Sequence, residues 1–270
     1  MRRRFGQSLR IGLAAHGVAL VRTGRMFGSE PLALDERHGE LSAPDGIVNA
    51  LRAVFADDLA PAGWPVTVVL ADDLVRLWQV PPPPGASRPG DLEAAAALRF
   101  QHLFGGGLAD WRLSADWDAA RPFLAAAAPA SLLAQLETAA RSHRFHLVEA
   151  VPQFVAAMNA WRRERRPGAW FGLVQGGVLS LAAYEGRNLA AVRTAVIPEG
   201  ADRDWLEAHV AREALRVGVG RPERLQLCGS APSGWASSAG RLKFACTLFE
   251  SDEEQGWSEL ARLARTGSAA

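Results

Sequence analysis

The side chains that could perform chemistry are few and lie far apart in the sequence. The adjacent carboxylates of Asp57-Asp58 and Asp72-Asp73 would point to opposite faces of a strand, and both pairs sit where turns are expected. The pair His143-x-x-His146 lacks the further ligands that zinc requires. The only lysine, Lys243, follows Leu242 rather than glycine, which excludes a P-loop, and Cys228-Gly229-Ser230 lacks the frame of a serine nucleophile elbow. The residues therefore predict no catalytic constellation and no metal site.

The amino-acid composition is typical of a globular protein with a sizeable hydrophobic core. The chain has 270 residues, of which 49% are hydrophobic and 22% charged, which is enough to build one large domain or two lobes. A net charge of +1 gives no indication of a nucleic-acid partner or an acidic substrate. Two cysteines in apolar segments fit a reducing compartment. No apolar run approaches the roughly 20 residues of a membrane-spanning helix, so we expect a soluble protein.

The N-terminal segment Met1–Phe5, followed by the apolar stretch Ile11–Val21, could imitate a signal for export. Polar residues interrupt the apolar stretch, which alternates like a strand. We therefore interpret it as the start of a folded domain in the cytoplasm.

The order of predicted elements repeats along the chain. The first third predicts three strands, a helix capped by the Asp45 side chain and a buried strand at Pro65–Leu70. The last third predicts the same succession, with strands at Trp170–Val174, Val178–Tyr184 and Leu189–Val196, a helix over Asp202–Val217 and a strand at Leu225–Cys228. Two lobes built on one plan are therefore expected.

Between these thirds lies a segment of different composition. It contains the proline run Pro81–Pro84, a helix over Asp91–Leu103 that ends at Gly105–Gly107, and strands over Trp111–Trp117 and Pro122–Ala127. We assign residues 1–70 and 149–165 to the first lobe, 71–148 to an inserted α/β subdomain, and 166–270 to the second lobe. Of the nine tryptophans, we place Trp78, Trp117 and Trp170 in the core. Four others sit at loop edges, where an exposed indole marks an interface, although core or semi-buried packing is the more frequent arrangement for any one of them: Trp64, Trp111, Trp235 and Trp257.

This twofold pattern resembles the actin-like ATPase superfamily, and within it the pilus-assembly protein M family and the cytoplasmic part of the type II secretion protein L family. The Ala-rich strand Phe123–Pro129, the helix Ser131–Arg144 and the strand Leu147–Val151 are similar to a strand-helix-strand unit of those families. Gly172–Gly177 followed by Leu179–Gly186 resembles their second phosphate loop and its strand pair. The resemblance implies an α/β fold of two actin-like (RNase H-like) lobes, with a small α/β subdomain inserted in the first.

The resemblance also implies a nucleotide site, and the residues at that site are degenerate. The first loop, Ile11–Gly17, contains no carboxylate, and the second has Val174-Gln175-Gly176 where the superfamily begins Asp-x-Gly. Gly229-Ser230 replaces the usual Gly-Gly pair of the adenosine loop. Backbone N–H groups could still cradle an anion, but magnesium would have no protein anchor in these loops. The candidate cofactor-binding residues are thus Gly12, Ala14, Gly17, Val174, Gly176, Gly177, Gly229 and Ser230, with no cofactor expected.

By resemblance, the protein is a non-catalytic cytoplasmic scaffold at the inner face of the inner membrane, in a type IV pilus or type II secretion assembly platform. In the pilus family the partner is the cytoplasmic tail of a single-pass membrane protein, laid in a groove near the inserted subdomain. Arg2-Arg3-Arg4 could add attraction to anionic lipid or be a solubilising terminus. The alternatives are an active actin-like protein that binds ATP with magnesium, possessing ligands at other positions, and a regulatory lobe that forms a homodimer.

Overall fold

The fold was analysed in a computed structural model that describes residues 7–24, 30–41, 45–55, 62–86, 88–236, 244–249 and 256–268. The described residues form three β-sheets flanked by helices. The chain divides into two compact units. The first consists of Met1–Arg76, Ala128–Ala160 and Gln255–Ala270, and the second consists of Leu77–Ala127 and Trp161–Glu254. Three features interpreted from the sequence lie outside the described residues: Arg2-Arg3-Arg4, Asp57-Asp58 and Lys243.

The first unit is built on a five-stranded sheet in the order β3-β2-β1-β4-β8. The first three strands are antiparallel, whereas β4 and β8 run parallel to β1. In strand β1 every second residue from Leu9 to Leu13 is apolar and fully buried: Leu9, Ile11 and Leu13. The strands are β1 (Gln7–Ala14), β2 (Gly17–Gly24), β3 (Leu32–His38), β4 (Pro65–Leu70) and β8 (His146–Pro152), with helices α1 (Gly46–Val54), α3 (Ala130–His143), α4 (Gln153–Ala160) and α6 (Glu259–Arg265).

Helix α6 comes from the C-terminal end of the described chain and packs on β1 and β2. Ser258 caps it, since the Ser258 hydroxyl accepts from the Ala261 N–H at 3.1 Å. At the other end the guanidinium of Arg10 donates to the carbonyls of Ala264 and Thr266. An arginine of the first strand thus satisfies carbonyls that the end of a helix leaves without intrahelical partners.

The second unit contains a sheet with the same plan, in the order β11-β10-β9-β12-β13. Again the first three strands in chain order, β9, β10 and β11, are antiparallel to their neighbours, whereas β12 and β13 run parallel to β9. The internal repeat predicted from the sequence is therefore confirmed by strand order and direction. The elements are β9 (Trp170–Gln175), β10 (Val178–Glu185), β11 (Asn188–Val196), α5 (Arg203–Val217), β12 (Arg224–Gly229), β13 (Ala245–Leu248) and a 3₁₀ turn over Ser233–Trp235.

Arg203 joins three segments of this second unit. Its Nε donates to the buried Glu207 carboxylate at 3.1 Å, and its two terminal nitrogens donate to the carbonyls of Trp235 and Phe244 at 2.8 and 2.7 Å. The guanidinium also lies over the Phe244 ring, 4.3 Å from its centroid. One side chain thus attaches the start of α5 to the 3₁₀ turn and to the approach to β13.

The Cys246 thiol lies close to Arg203. Burial raises the pKa of this thiol to about 11, against the smaller opposing effect of the Arg203 charge. A thiol that holds its proton more tightly in the folded state stabilises that state fully below about pH 9, its unfolded pKa. The contribution is lost as the pH rises through about 11. We expect Cys246→Ala to lose stability less steeply than the wild type between these values, as measured by denaturant unfolding across pH 8–11. Equal slopes for the two proteins would contradict this.

The third sheet belongs to the inserted segment and has the order β5-β7-β6. Helix α2 covers one face through Leu92, Ala96 and Phe100, and Phe100 meets the ring of Trp78 edge-on at 5.2 Å. The helix ends at Gly105, whose φ of 77° is the left-handed conformation that glycine tolerates. The elements are β5 (Arg76–Val80), α2 (Pro89–Phe104), β6 (Trp111–Ala115) and β7 (Phe123–Pro129).

The structure departs from the predicted boundaries, and two of the departures move whole elements. Strand β8 pairs with β4, so residues 130–148 fold with the first sheet instead of the insertion. Helix α6 lies on the first sheet and not in the second lobe. In both cases an open sheet edge or apolar face of the first lobe takes up a segment that is distant in sequence.

Two single-residue expectations were also wrong. Asp45 precedes α1, but its backbone is left-handed at φ 57° and its side chain caps nothing. Trp117, expected in the core, is 36% exposed and also has a positive φ, because it begins the turn after β6. Trp235 ends the 3₁₀ turn and is one of the loop-edge tryptophans that is core-packed, since it is 1% exposed, packs on Trp205 and donates to the Ala201 carbonyl.

Candidate functional site

The first glycine-rich turn is filled by the protein's own packing. A Cβ at Gly12 would lie 2.5 Å from the Leu260 carbonyl oxygen and 2.6 Å from the Ala264 nitrogen of α6. A Cβ at Gly17 would lie 2.6 Å from the Arg37 carbonyl oxygen of β3. Both glycines are therefore required by the close approach of neighbouring backbone, a role that needs no bound phosphate.

The turn between β1 and β2 is also held by backbone hydrogen bonds. The N–H groups of Gly39 and Leu41 donate to the carbonyls of His16 and Ala15 at 3.0 and 2.9 Å. Ala14, at the end of β1, is 3% exposed and packs in the cluster around α6. The turn, Ala14-Ala15-His16-Gly17, thus contains no carboxylate, and the carbonyls of Ala15 and His16 are already engaged.

The second and third candidate loops come together in the second unit. Gly176 and Gly177 follow β9 with φ of 55° and 71°, the pair of left-handed residues that a tight hairpin turn to β10 demands. Gly229 lies opposite Val174 in the parallel pairing of β9 with β12. The N–H and hydroxyl of Ser230 both donate to the Val174 carbonyl, at 2.9 and 3.2 Å.

Gly229 occupies a position that only glycine fits. Its φ is +79°, and a Cβ there would lie 2.2 Å from the Val174 carbonyl oxygen. Five of the predicted residues, Val174, Gly176, Gly177, Gly229 and Ser230, are thus neighbours at one end of the second sheet. Gly12, Ala14 and Gly17 form a separate group in the first unit.

The other chemistry-bearing residues have structural partners. The Asp72 carboxylate accepts from the Phe154 N–H at 3.1 Å and so caps α4. His143 stacks on Phe55 at 5.1 Å, and burial, with Arg52 nearby, lowers its pKa. No group of three or more His, Cys, Asp or Glu side chains in the described part of the chain could hold a metal ion. In that same part, no helix is long and apolar enough to cross a membrane.

A surface groove in the inserted subdomain was not foreseen from the sequence. It has a volume of about 500 Å³ and runs between the side of α2 and strand β6. Glu93 is the one charged residue in its lining, which otherwise consists of Gly90, Ala94, Ala97, Leu108, Leu113 and Trp117. The positive φ of Trp117, which brings this indole to the surface, has no signature in the sequence.

Comparison with known proteins identifies the architecture. No family model matches the sequence, and no curated protein is detectably similar to it. The structure superposes on the cytoplasmic domain of EpsL, an inner membrane component of the type II secretion system of Vibrio cholerae, with a TM-score of 0.57, 15% identity and coverage of 97% of this chain and 96% of that one. It is similar to a chain of the PilM–PilN type IV pilus biogenesis complex, with a TM-score of 0.58, 15% identity and coverage of 96% and 94%.

A protein of unknown function from Bacteroides thetaiotaomicron, described as having an actin-like ATPase fold, matches with a TM-score of 0.56 and 12% identity over 84% of each chain. These likenesses extend over most of the chain. The chain has the actin-like ATPase fold.

Proposed function

We propose that this protein is a non-catalytic scaffold in a type IV pilus or type II secretion assembly platform, bound to the cytoplasmic part of an inner-membrane partner. The observation that carries the proposal is the state of the three glycine-rich loops. Gly12, Gly17 and Gly229 accommodate α6, β3 and Val174, and none of the three loop sequences contains a carboxylate that could anchor magnesium. Stabilising the charge of a transferring phosphoryl group requires such an anchor.

The assembly role is supported by two likenesses in fold. The EpsL domain belongs to an inner membrane component of a secretion system, and PilM acts in a pilus biogenesis complex with PilN. In this proposal the protein is cytoplasmic, peripheral to the inner membrane, and binds its partner as an extended peptide. Its actin-like fold supplies a rigid surface.

Nucleotide binding is the first test. Titration calorimetry with ATP and magnesium should give no binding heat, and 1 mM nucleotide should leave the melting temperature unchanged. A site with a dissociation constant of about 10 µM would stabilise the protein by about 2.7 kcal/mol at that concentration, which a thermal scan detects easily. Such a rise would overturn the non-catalytic assignment and support the actin-like ATP-binding alternative.

The partner is tested separately with the inner-membrane protein of a pilus or secretion system encoded beside this chain. A labelled synthetic peptide of its cytoplasmic tail should bind in a fluorescence anisotropy titration, whereas a peptide with the same residues in scrambled order should not. Equal binding of both peptides, or of neither, would contradict the scaffold role. Because nucleotide and tail are measured independently, each half of the proposal can fail alone.

A further inference from the structure

Among the residues that the structure describes, strand β6 has a strand neighbour on one side only, β7, and so lies at an open edge of the sheet in the inserted subdomain. The N–H of Asp116, one residue beyond the strand, donates to the Leu124 carbonyl of β7 at 3.1 Å. Backbone groups of successive residues in a strand point alternately to its two sides. The N–H and C=O groups of Leu113 and Ala115 therefore point to the open side, where another strand could pair with them.

The exposed side chains along this edge carry opposite charges at equal distances on either side of a serine. Arg112, Ser114 and Asp116 are exposed and alternate with the half-buried Leu113 and Ala115. Among the described residues neither Arg112 nor Asp116 has an ion-pair partner. Since they are four positions apart, about 13 Å along a strand, they cannot pair with each other.

A second copy of the same strand, laid antiparallel and centred on Ser114, matches this order of charge. Arg112 of each copy then lies opposite Asp116 of the other, so two ion pairs flank a central Ser114–Ser114 contact. Leu113 lies opposite Ala115, and these are the residues whose backbone groups point to the open side. A register shifted by two residues toward the N-terminus would instead place Arg112 opposite Arg112.

The apolar groove beside β6 is also consistent with a second copy of this chain as the partner of the edge. Leu113 and Trp117 line the groove between β6 and α2, and Trp117 is 36% exposed. In an antiparallel pair related by a twofold axis normal to the sheet, both α2 helices lie on the same face, so each groove opens toward its copy. We infer that the β6 edge is a self-association surface, where a second copy of this chain pairs through β6 to join two three-stranded sheets into one of six. This inference does not depend on the proposed function.

The test uses charge reversal in the full chain, with association followed by sedimentation equilibrium. The wild type should approach twice the monomer mass as its concentration rises. Arg112→Glu and Asp116→Arg each place like charges at both flanking positions, so each should raise the dissociation constant about tenfold or more. Arg99→Glu makes the same charge change at an exposed position of α2 that does not line the groove beside β6, and it should associate like the wild type.

Mixing the two variants provides the decisive measurement. An Arg112→Glu chain against an Asp116→Arg chain restores both ion pairs, one in its native form and one with its two charges exchanged, so the mixture should associate at concentrations where neither variant does alone. This recovery cannot arise from misfolding of either variant. A wild type that stays monomeric at every concentration, single variants that associate normally, or a mixture that stays monomeric would each overturn the inference.

Discussion

Replacing Arg203 with methionine is expected to lower the free energy of unfolding by about 3–5 kcal/mol. Methionine fills a similar volume but cannot pair with Glu207, whose side chain is 9% exposed, and it leaves the carbonyls of Trp235 and Phe244 without their donor. An uncompensated buried carboxylate is costly because the low-dielectric surroundings do not solvate its charge. Chemical denaturation followed by tryptophan fluorescence measures the loss.

The chain offers a matched control on a different helix. Arg141 and Glu137 have the same spacing of four residues as Arg203 and Glu207, but their side chains are 71% and 64% exposed and their charged atoms are 3.9 Å apart. Arg141→Met should therefore cost at most about 0.5 kcal/mol. The double variant Arg203→Met with Glu207→Met should regain part of the stability that the single variant loses, since it removes the buried charge. Similar losses for Arg203→Met and Arg141→Met would refute the role assigned to Arg203.

Gly12→Ala is expected to lower the free energy of unfolding by about 2–3 kcal/mol, near the upper end of the range for overpacking. The added methyl would meet the Leu260 oxygen and the Ala264 nitrogen at 2.5 and 2.6 Å, and these backbone atoms can move only if α6 moves. Hydrogen exchange should accordingly become faster at the amides of α6 than elsewhere in the first unit.

Gly39 provides the comparison for Gly12 in the same unit. A Cβ at Gly39 would have no atom within 4 Å, and alanine retains the N–H that donates to His16. Gly39→Ala should therefore change stability by no more than about 0.5 kcal/mol. If Gly12→Ala were as harmless, α6 would not be what requires a glycine in the first loop, and the argument that this loop serves packing would lose its basis.

Much of the fold could be predicted from the sequence because its signals are local. Alternation of apolar residues in the segment that forms β1 and β2, the continuous apolar run of β4, and Gly105 at the end of α2 each indicate an element without reference to the rest of the chain. The repeated order of elements then indicated two lobes, and the strand order of the two sheets confirms them.

Residue types alone show what the candidate loops lack. That Ile11–Gly17 and Val174–Gly177 contain no carboxylate is a matter of composition, which folding does not alter. The role that their glycines have instead depends on contacts between distant segments. Gly12 is needed because α6, nearly 250 positions later, crosses β1 at backbone contact distance, and Gly229 because Val174 lies opposite it.

The same physical reason explains the errors. Residues 130–148 and α6 were assigned to the wrong parts because the apolar face of a strand or helix specifies that it is covered, but not by which segment. The edge position of β6, which leaves Arg112 and Asp116 available to a second copy, likewise depends on which strands pair. Residue types and local periodicity are properties of the sequence, whereas partners across a sheet or beneath a helix exist only once distant segments have come together.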